Sequence, residues 1–403
     1  RMFTMTMPAP AREAIEMLNQ NGHAAYLVGG CVRDHLRGQA PSDFDVTTSA
    51  LPDETERVFA GDRVIETGLK HGTVTVLRDG MPVEITTYRT EGAYSDGRHP
   101  DSVAFTRSLA EDLCRRDFTV NAIAMDVHGG IVDLYGGRED LAAGCLRAVG
   151  DPVTRFNEDA LRILRAFRFA AKLGFAIEPT TLAAAIALAP RLRMVSRERI
   201  CAELTKLVCA PHAAEALTQM ADGGVFDSLF DAPQINRRAL AYLSTLPARA
   251  DIRLAALFYG DARAEMHIAS LKPSGAFLRR AAGILHAAAP ALDAPALRRF
   301  VYANGADVAR DAALVLAGEQ AALAAMSMQL DDLLAREDCF AIGDLRVNGD
   351  DARAAGFAGA AIGRALEDVL FAVFDGKIDN SRLAETEFLL SLGTKAVDRE
   401  SKV

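Results

Sequence analysis

Residues 26–48 read Tyr26-Leu27-Val28-Gly29-Gly30-Cys31-Val32-Arg33-Asp34-His35-Leu36-Arg37-Gly38-Gln39-Ala40-Pro41-Ser42-Asp43-Phe44-Asp45-Val46-Thr47-Thr48. A short apolar run stops at two glycines. An amphipathic turn then carries Arg33, Asp34 and Arg37. A second extended run holds Asp43 and Asp45 with Phe44 between them. Successive side chains of a strand point to opposite faces, so the two aspartates share one face and Phe44 turns to the core. Two close carboxylates repel each other unless a cation sits between them. Mg²⁺ suits such a pair, because it takes one or two carboxylates together with substrate phosphates. Two such ions can bracket a phosphoryl centre. Gly29 and Gly30 stand at a strand-to-helix turn, where backbone N–H groups approach phosphates closely. Asp-x-Asp alone also fits a hairpin with two exposed aspartates; the Gly-Gly-x-x-Arg-Asp element upstream favours phosphoryl chemistry.

Outward from this stretch, the first 150 residues read as a mixed α/β unit. Ala11, Ala14, Ile15 and Leu18 predict a helix over 10–21, ended by Gly22. A first strand is expected at 24–28, a helix at 31–37 and the aspartate strand at 44–48. Pro52 starts a short helix. Thr73–Arg78 and Val83–Tyr88 flank Asp79-Gly80, a hairpin signal. Ala122–Asp126 and Ile131–Leu134 repeat the pattern around Gly129-Gly130. After Gly150 the β-branched clusters vanish and helical periodicity runs on. The expected class is therefore α+β: a head with a mixed β-sheet over 1–150, then all-α segments at 151–220, 221–335 and 336–403.

At 403 residues, half of them hydrophobic, burying a core is not in doubt. No apolar run reaches membrane-spanning length, so no membrane partner is expected. Arg1-Met2-Phe3-Thr4-Met5 lacks the features of a secretory leader. The six cysteines form no Cys-x-x-Cys pair, which predicts reduced thiols in a cytoplasmic protein. The net charge of −9 excludes nucleic-acid binding through bulk charge. A local basic groove remains open, since 155–210 holds ten basic and five acidic side chains.

Four further segments carry candidate chemistry. Glu84 alternates with Val83 and Ile85, and a strand beside the aspartate strand would bring it to the metal as a third carboxylate. Residues 90–113 form a long polar connection with Gly92, Gly97 and Pro100, longer than compact domains usually tolerate without a function. Arg115-Arg116-Asp117-Phe118-Thr119-Val120-Asn121 places planar donors at an expected strand entrance, suited to phosphate or ribose oxygens. In Glu158-Asp159-Ala160-Leu161-Arg162-Ile163-Leu164-Arg165, a continuous helix would gather Glu158, Arg162 and Arg165 on one side, with Asp159 flanking. That pattern also fits an ordinary salt-bridged helix face. Near the end, Val347–Asp351 and Gly356–Gly363 form a Gly-rich join whose backbone N–H groups are candidates for phosphate binding.

On these residues the chain resembles the class II tRNA nucleotidyltransferases, the family of CCA-adding enzymes and bacterial poly(A) polymerases. The likeness is specific across 26–172 and continues to about 210; beyond that it rests on 347–380. It implies a head similar to that of DNA polymerase β, followed by helical neck, body and tail. It implies transfer of CMP and AMP units from CTP and ATP to tRNA, with Mg²⁺ held by Asp43 and Asp45 and Glu84 assisting. Gly29, Gly30 and Arg33 would steady the triphosphate. Arg115, Arg116, Asp117 and Asn121 would contact the nucleotide's sugar and phosphates. Asp159 and Arg162 would read the base, with Glu158 and Arg165 supporting them. The segments 88–92 and 94–98 match the family's loop that switches CTP to ATP, which argues against an enzyme adding only two cytidines. Asp133-Leu134-Tyr135-Gly136-Gly137 matches its hinge between head and neck. Val64–Thr73 follows the CCA-adding pattern, and the residues to Val403 show no basic extension of the poly(A) polymerase kind. The alternatives are a poly(A) polymerase, a partial CC- or A-adding enzyme, and a silent RNA-binding module of the same fold. The sequence does not choose between monomer and homodimer.

Overall fold

A computed structural model describes residues 7–41, 43–68, 72–91, 103–336 and 339–400. The chain divides into two compact units. One runs to Pro233 and includes Ser270–Lys272; the other comprises Gln234–Ala269 and the chain from Pro273 onward.

The first unit opens with α1, Ala9–Gln20, whose Ala11, Ala14, Ile15 and Leu18 form one buried stripe. There follow β1 (Ala25–Val28), α2 (Gly30–Leu36), β2 (Asp45–Thr48), α3 (Pro52–Val58), β3 (Arg63–Gly68), β4 (Thr73–Arg78) and β5 (Met81–Thr87). Then come β6 (Arg89–Glu91), β7 (Val103–Phe105), α4 (Leu109–Cys114), a 3₁₀ turn at Thr119–Asn121, β8 (Ile123–Met125) and β9 (Ile131–Asp133). Seven of the strands form one mixed sheet in the order β3-β4-β5-β2-β1-β8-β9. Its pairings are antiparallel except one, β2 beside β5. The stripe of α1 shares a core with Leu27, Val46, Val74, Val76, Val83 and Ile85. Alternation therefore seals one face of the sheet and leaves Asp45 and Glu84 on the other.

The hairpin expected at Asp79-Gly80 is present: both residues have positive φ (49° and 78°), the geometry that matches strand twist. Three expectations need correction. The aspartate strand starts at Asp45, so Asp43 and Phe44 precede it. Arg63–Gly68 is a strand that irregular alternation concealed. The polar connection is shorter than expected, because Arg89, Thr90 and Glu91 pair with Phe105, Ala104 and Val103, and 109–114 are helical. The motif at 94–98 lies outside the described residues, as do Leu69, Lys70 and His71 of the 64–73 pattern.

The unit continues with α5 (Gly137–Ala143), β10 (Cys145–Leu146), α6 (Pro152–Glu158), α7 (Leu161–Leu173), β11 (Ala176–Ile177), α8 (Pro179–Leu188), α9 (Arg197–Val208), α10 (Ala213–Asp222) and α11 (Phe226–Leu229). β10 and β11 pair in parallel. Ile163, Leu164, Ala166, Phe167, Ala170 and Ala171 bury most of α7, which packs against α9 and α10.

The described part of the second unit is helical, with one core built around Leu297, Phe300, Ala312, Leu316 and Leu330 and another around Val347, Leu366, Val369, Phe374 and Leu389. The join at 347–351 differs from its expected role. Glu385 accepts the N–H groups of Arg346 and Val347, Asn348 accepts those of Asp350 and Asp351, and Asp351 accepts that of Asn348. Those donors are satisfied by the chain's own side chains. No helix among the described residues is long and apolar enough to cross a membrane.

Gly137 begins α5 under tight constraint. Its N–H donates to Asp133 Oδ1 at 2.8 Å, and Thr119 Oγ1 donates to Asp140 Oδ2 at 2.6 Å. A Cβ at Gly137 would run into the Thr119 carbonyl oxygen and, at 2.8 Å, the Ile123 side chain. Gly137→Ala should therefore destabilise the first unit by about 1–3 kcal/mol through overpacking. Thermal unfolding reads this directly, and an unchanged Tm would refute the close packing.

Candidate active site

Asp43 and Asp45 are exposed, while Phe44 is half-buried against the core beneath them. This is the alternation the sequence requires. Asp45 stands in register opposite Glu84 across the parallel β2–β5 pairing. Val83 and Ile85 are buried and Glu84 is exposed. The sheet thus sets Asp45 and Glu84 side by side on one face, and Asp43, just before β2, is close enough to act electrostatically on Asp45. Desolvation, then repulsion from Glu84, raises the Asp45 carboxyl above its ordinary range; Asp43 adds to this and Arg116 opposes it. These donors fit a divalent cation: they are hard oxygens whose mutual repulsion a cation relieves. The described carboxylates do not by themselves close a cage of three or more ligands. A site shared with substrate phosphates has that openness.

Gly29 caps α2 with φ 79° and ψ −130°, a backbone that side-chain-bearing residues avoid. A Cβ there would lie 3.4 Å from Arg116 Nη1, so the guanidinium sits directly over the glycine turn. Among the described residues, Arg116 Nε is buried with no hydrogen-bond partner. Such a donor is costly to leave unmade and suits an incoming anion. Arg33 is buried beside Gly30; its Nη1 donates to Asn121 Oδ1 at 2.7 Å and its Nε to Asp34 Oδ1 at 2.8 Å.

Arg115 and Arg116 follow α4 in a turn, not at a strand entrance. Asp117 is buried between sheet and helices. Its Oδ1 accepts from the Phe118 N–H at 2.8 Å and from Asn121 Nδ2 at 3.1 Å. Its Oδ2 accepts from Arg165 Nε at 2.9 Å and Nη2 at 2.6 Å. Burial pushes this carboxyl up, but Arg165 and the donated hydrogen bonds outweigh it and bring it down to about 2. Arg33, Arg165 and Arg168 surround the Phe169 ring at 5.5, 5.2 and 4.0 Å from its centre.

The segment 158–165 is not one helix. α6 ends at Glu158, Asp159 is extended at φ −138°, and α7 starts at Leu161. Asp159 Oδ1 accepts the Leu161 N–H at 3.0 Å, and its Oδ2 accepts from Arg199 at 2.8 Å. Arg162, 8% exposed, donates to Glu158 Oε2 at 2.5 Å, to the Arg155 carbonyl at 3.2 Å and to the Arg115 carbonyl at 2.9 Å. Glu158 thus meets Arg162 across the break at Asp159, Arg162 and Arg165 follow one another on α7, and both arginines bond to the 115–117 turn. The sequence reading singles out none of Asp112, Arg155, Phe169 and Arg199. Of these, Asp112 leaves a readable signal, three and four residues before the arginines on a helix.

Two family models match the chain. Residues 25–147 match the poly A polymerase head domain, and 174–238 match the probable RNA and SrmB-binding site of polymerase A. The CCA-adding enzyme of Geobacillus thermodenitrificans is 46% identical over 279 residues, 68% of this chain and 67% of that one. The crystal structure of the Bacillus stearothermophilus CCA-adding enzyme in complex with CTP superimposes with a TM-score of 0.82. It shares 34% identity, covering 98% of this chain and 100% of that one. The Thermotoga maritima CCA-adding enzyme complexed with tRNA shares the fold, with a TM-score of 0.73 at 21% identity over 97% of this chain and 96% of that one.

The depressed Asp117 carboxyl sets a pH dependence. Its folded pKa, about 2, lies below the ordinary 3.8, so its stabilisation is full above about pH 4 and is lost as pH falls towards 2. At neutral pH that contribution is about 2 kcal/mol. Urea unfolding of the wild type and Asp117→Asn should show a stability gap of that order near pH 7 that narrows towards acid. A gap independent of pH would rule out a charged Asp117.

Proposed function

The chain belongs to the family of the CCA-adding enzymes, and we propose that it is a tRNA nucleotidyltransferase that builds CCA at tRNA 3′ ends from CTP and ATP without a nucleic-acid template. The observation that carries this reading is the register of Asp45 against Glu84 beneath a turn, Gly29-Gly30, over which Arg116 lies. In each step the 3′-hydroxyl oxygen of the tRNA bonds to the α-phosphorus of the nucleotide. The bond from that phosphorus to the bridging oxygen breaks, and pyrophosphate leaves. Three rounds add C, C and A.

We assign Mg²⁺ to Asp43 and Asp45, with Glu84 beside them, because hard carboxylate oxygens next to a triphosphate suit it. When bound, it would neutralise phosphate charge and polarise the phosphoryl group. The chain's own residues position the substrates, which is most of what phosphoryl transfer requires. Gly29 and Gly30 allow close approach of the triphosphate, and Arg33 lies behind them. Arg115, Arg116, Asp117 and Asn121 take the phosphate and sugar side of the nucleotide. Asp159 and Arg162 face its base: a carboxylate accepts from an exocyclic amine, and a guanidinium donates to ring nitrogen or carbonyl. That pairing suits cytosine and, after a small rotation, adenine. A base that leaves these buried groups unpaired is rejected. Glu158 and Arg165 support the pair, as their bonds to Arg162 and Asp117 suit them to do. Contacts to tRNA are expected to read shape and backbone, since every tRNA must be served. We place it in the cytoplasm on the same reading.

The deciding experiment incubates tRNA ending before CCA, and tRNA ending in CC, with CTP, ATP or both, and reads product lengths. Addition of CCA supports the proposal. Long A tails on arbitrary RNA would make the chain a poly(A) polymerase, and arrest after CC, or addition of A alone, would make it a partial enzyme. In the same assay Asp45→Ala should abolish incorporation while tRNA binding persists; retained turnover would remove Asp45 from the metal site. Arg162→Ala should lose the CTP/ATP choice by about tenfold, as expected when one charge-assisted hydrogen bond to the base is removed. Unaltered base selectivity in that variant would overturn the base-reading assignment.

A further inference from the structure

Behind the two arginines lies a carboxylate to which the reading above gives no part. Asp112, on α4, is 0% exposed. Its Oδ1 accepts from Arg115 Nε at 3.0 Å, from Arg115 Nη2 at 2.8 Å and from the Arg89 backbone N–H at 3.4 Å. Its Oδ2 accepts from Thr47 Oγ1 at 3.2 Å and from Arg116 Nη2 at 3.3 Å. Burial works against the charged form, but Arg115 and Arg116 prevail and hold the carboxyl below its ordinary range.

Each partner belongs to a different part of the candidate site. Thr47 is two residues beyond Asp45 on β2 and shares its face. Arg89 starts β6, the strand leading into 92–102. The Arg115 carbonyl accepts from Arg162 Nη2. Arg116 reaches over Gly29 and acts electrostatically on Asp45. Stability alone does not call for such a group, because buried ion pairs are often no better than well-packed apolar side chains. A guanidinium that must meet a phosphate in one orientation does call for it: its planar fork binds best when its rotamer is already fixed.

We propose that Asp112 is a positioning residue for the incoming nucleoside triphosphate: it fixes the guanidinium planes of Arg115 and Arg116 against the face of β2 that bears Asp45, oriented for phosphate and sugar oxygens. The proposal rests on the reading that these two arginines contact the nucleotide. Asp112 touches no substrate itself. Because it acts on arginines assigned to phosphate and sugar, its loss weakens CTP and ATP alike. The base readers keep their choice.

The test compares Asp112→Asn, Arg116→Ala and the double variant, with KM measured separately for CTP, ATP and tRNA. Asp112→Asn should raise KM for CTP and for ATP by about tenfold each, the scale of one charge-assisted hydrogen bond. The CTP:ATP preference and the tRNA KM should stay unchanged, which a general loosening of the fold would not produce. The double variant should fall short of the product of the two single effects, because both act through one group. A wild-type nucleotide KM in Asp112→Asn, or a fully multiplicative double variant, overturns the proposal. If Arg115→Ala and Arg116→Ala also leave nucleotide KM unchanged, the arginine reading falls, and this proposal with it. If they raise it and Asp112→Asn does not, only the role of Asp112 falls. Should Asp112→Asn fail to fold, Asp112→Asn with Arg115→Gln removes anion and cation together. Its nucleotide KM should exceed that of Arg115→Gln alone, and equality overturns the proposal.

Discussion

A buried carboxylate ties the sheet-bearing part of the first unit to α7. Asp117 accepts from Asn121, which in turn accepts from Arg33 behind Gly30. From the other side it accepts both donors of the Arg165 fork on α7. Three side-chain links therefore run from α2 in the head to the helix that follows the Asp159 break. A second tie runs parallel, from Arg162 to the Arg115 carbonyl. The carboxylates of β2 and β5 and the residues assigned to the base are thus held to a common frame, although more than a hundred residues separate Asp45 from Asp159 in the chain. Buried charge is costly unless fully paired, and here every oxygen of Asp117 is engaged.

The basic character of residues 155–210 takes a different form from the one their composition implies. Ten basic side chains against five acidic over 155–210 suggest a groove open to RNA. In the structure the surplus is largely consumed internally. Arg162 pairs with Glu158, Arg165 with Asp117, Arg168 with Glu203 and Arg199 with Asp159. Arg191, Arg193 and Arg197 donate to backbone carbonyls of Asn157, Asp227 and Leu229. Of these arginines, Arg165 and Arg168 also lie against the Phe169 ring, and Arg197 lies over Phe230. Any nucleotide that reaches Arg162 must offer hydrogen bonds good enough to compete with Glu158 and two carbonyls, a demand that favours a well-matched base over a poor one.

Much of this was legible from the chain alone, where local rules decide. The stripe of α1, the Asp79-Gly80 hairpin and the inward turn of Phe44 between two aspartates all follow from periodicity. Alternation puts Glu84 on one face of its strand but does not say which strand lies beside it; the structure sets β5 parallel to β2 and hairpins it to β4. What escaped were features set by distant partners. Glu158 to Arg165 has the composition of an unbroken helix, and the break at Asp159 accompanies an ion pair with Arg199, forty residues on. The Gly-rich join at 347–351 looked rich in open N–H groups until Glu385, on another helix, was seen to take two of them. Asp112 was readable, since its spacing places it beside both arginines, but a motif that begins at Arg115 stops short of it.

The single parallel pairing in the sheet bears on how the protein folds. Parallel neighbours cannot be joined by a tight turn, and the chain between β2 and β5 makes α3, β3 and β4 on the way. β5 pairs with β4 through a short hairpin, and its other edge pairs with β2 across a much longer stretch of chain. Asp45 and Glu84 are neighbours only through that long-range pairing. The arrangement proposed for metal binding therefore depends on the β2–β5 pairing and not on either strand alone.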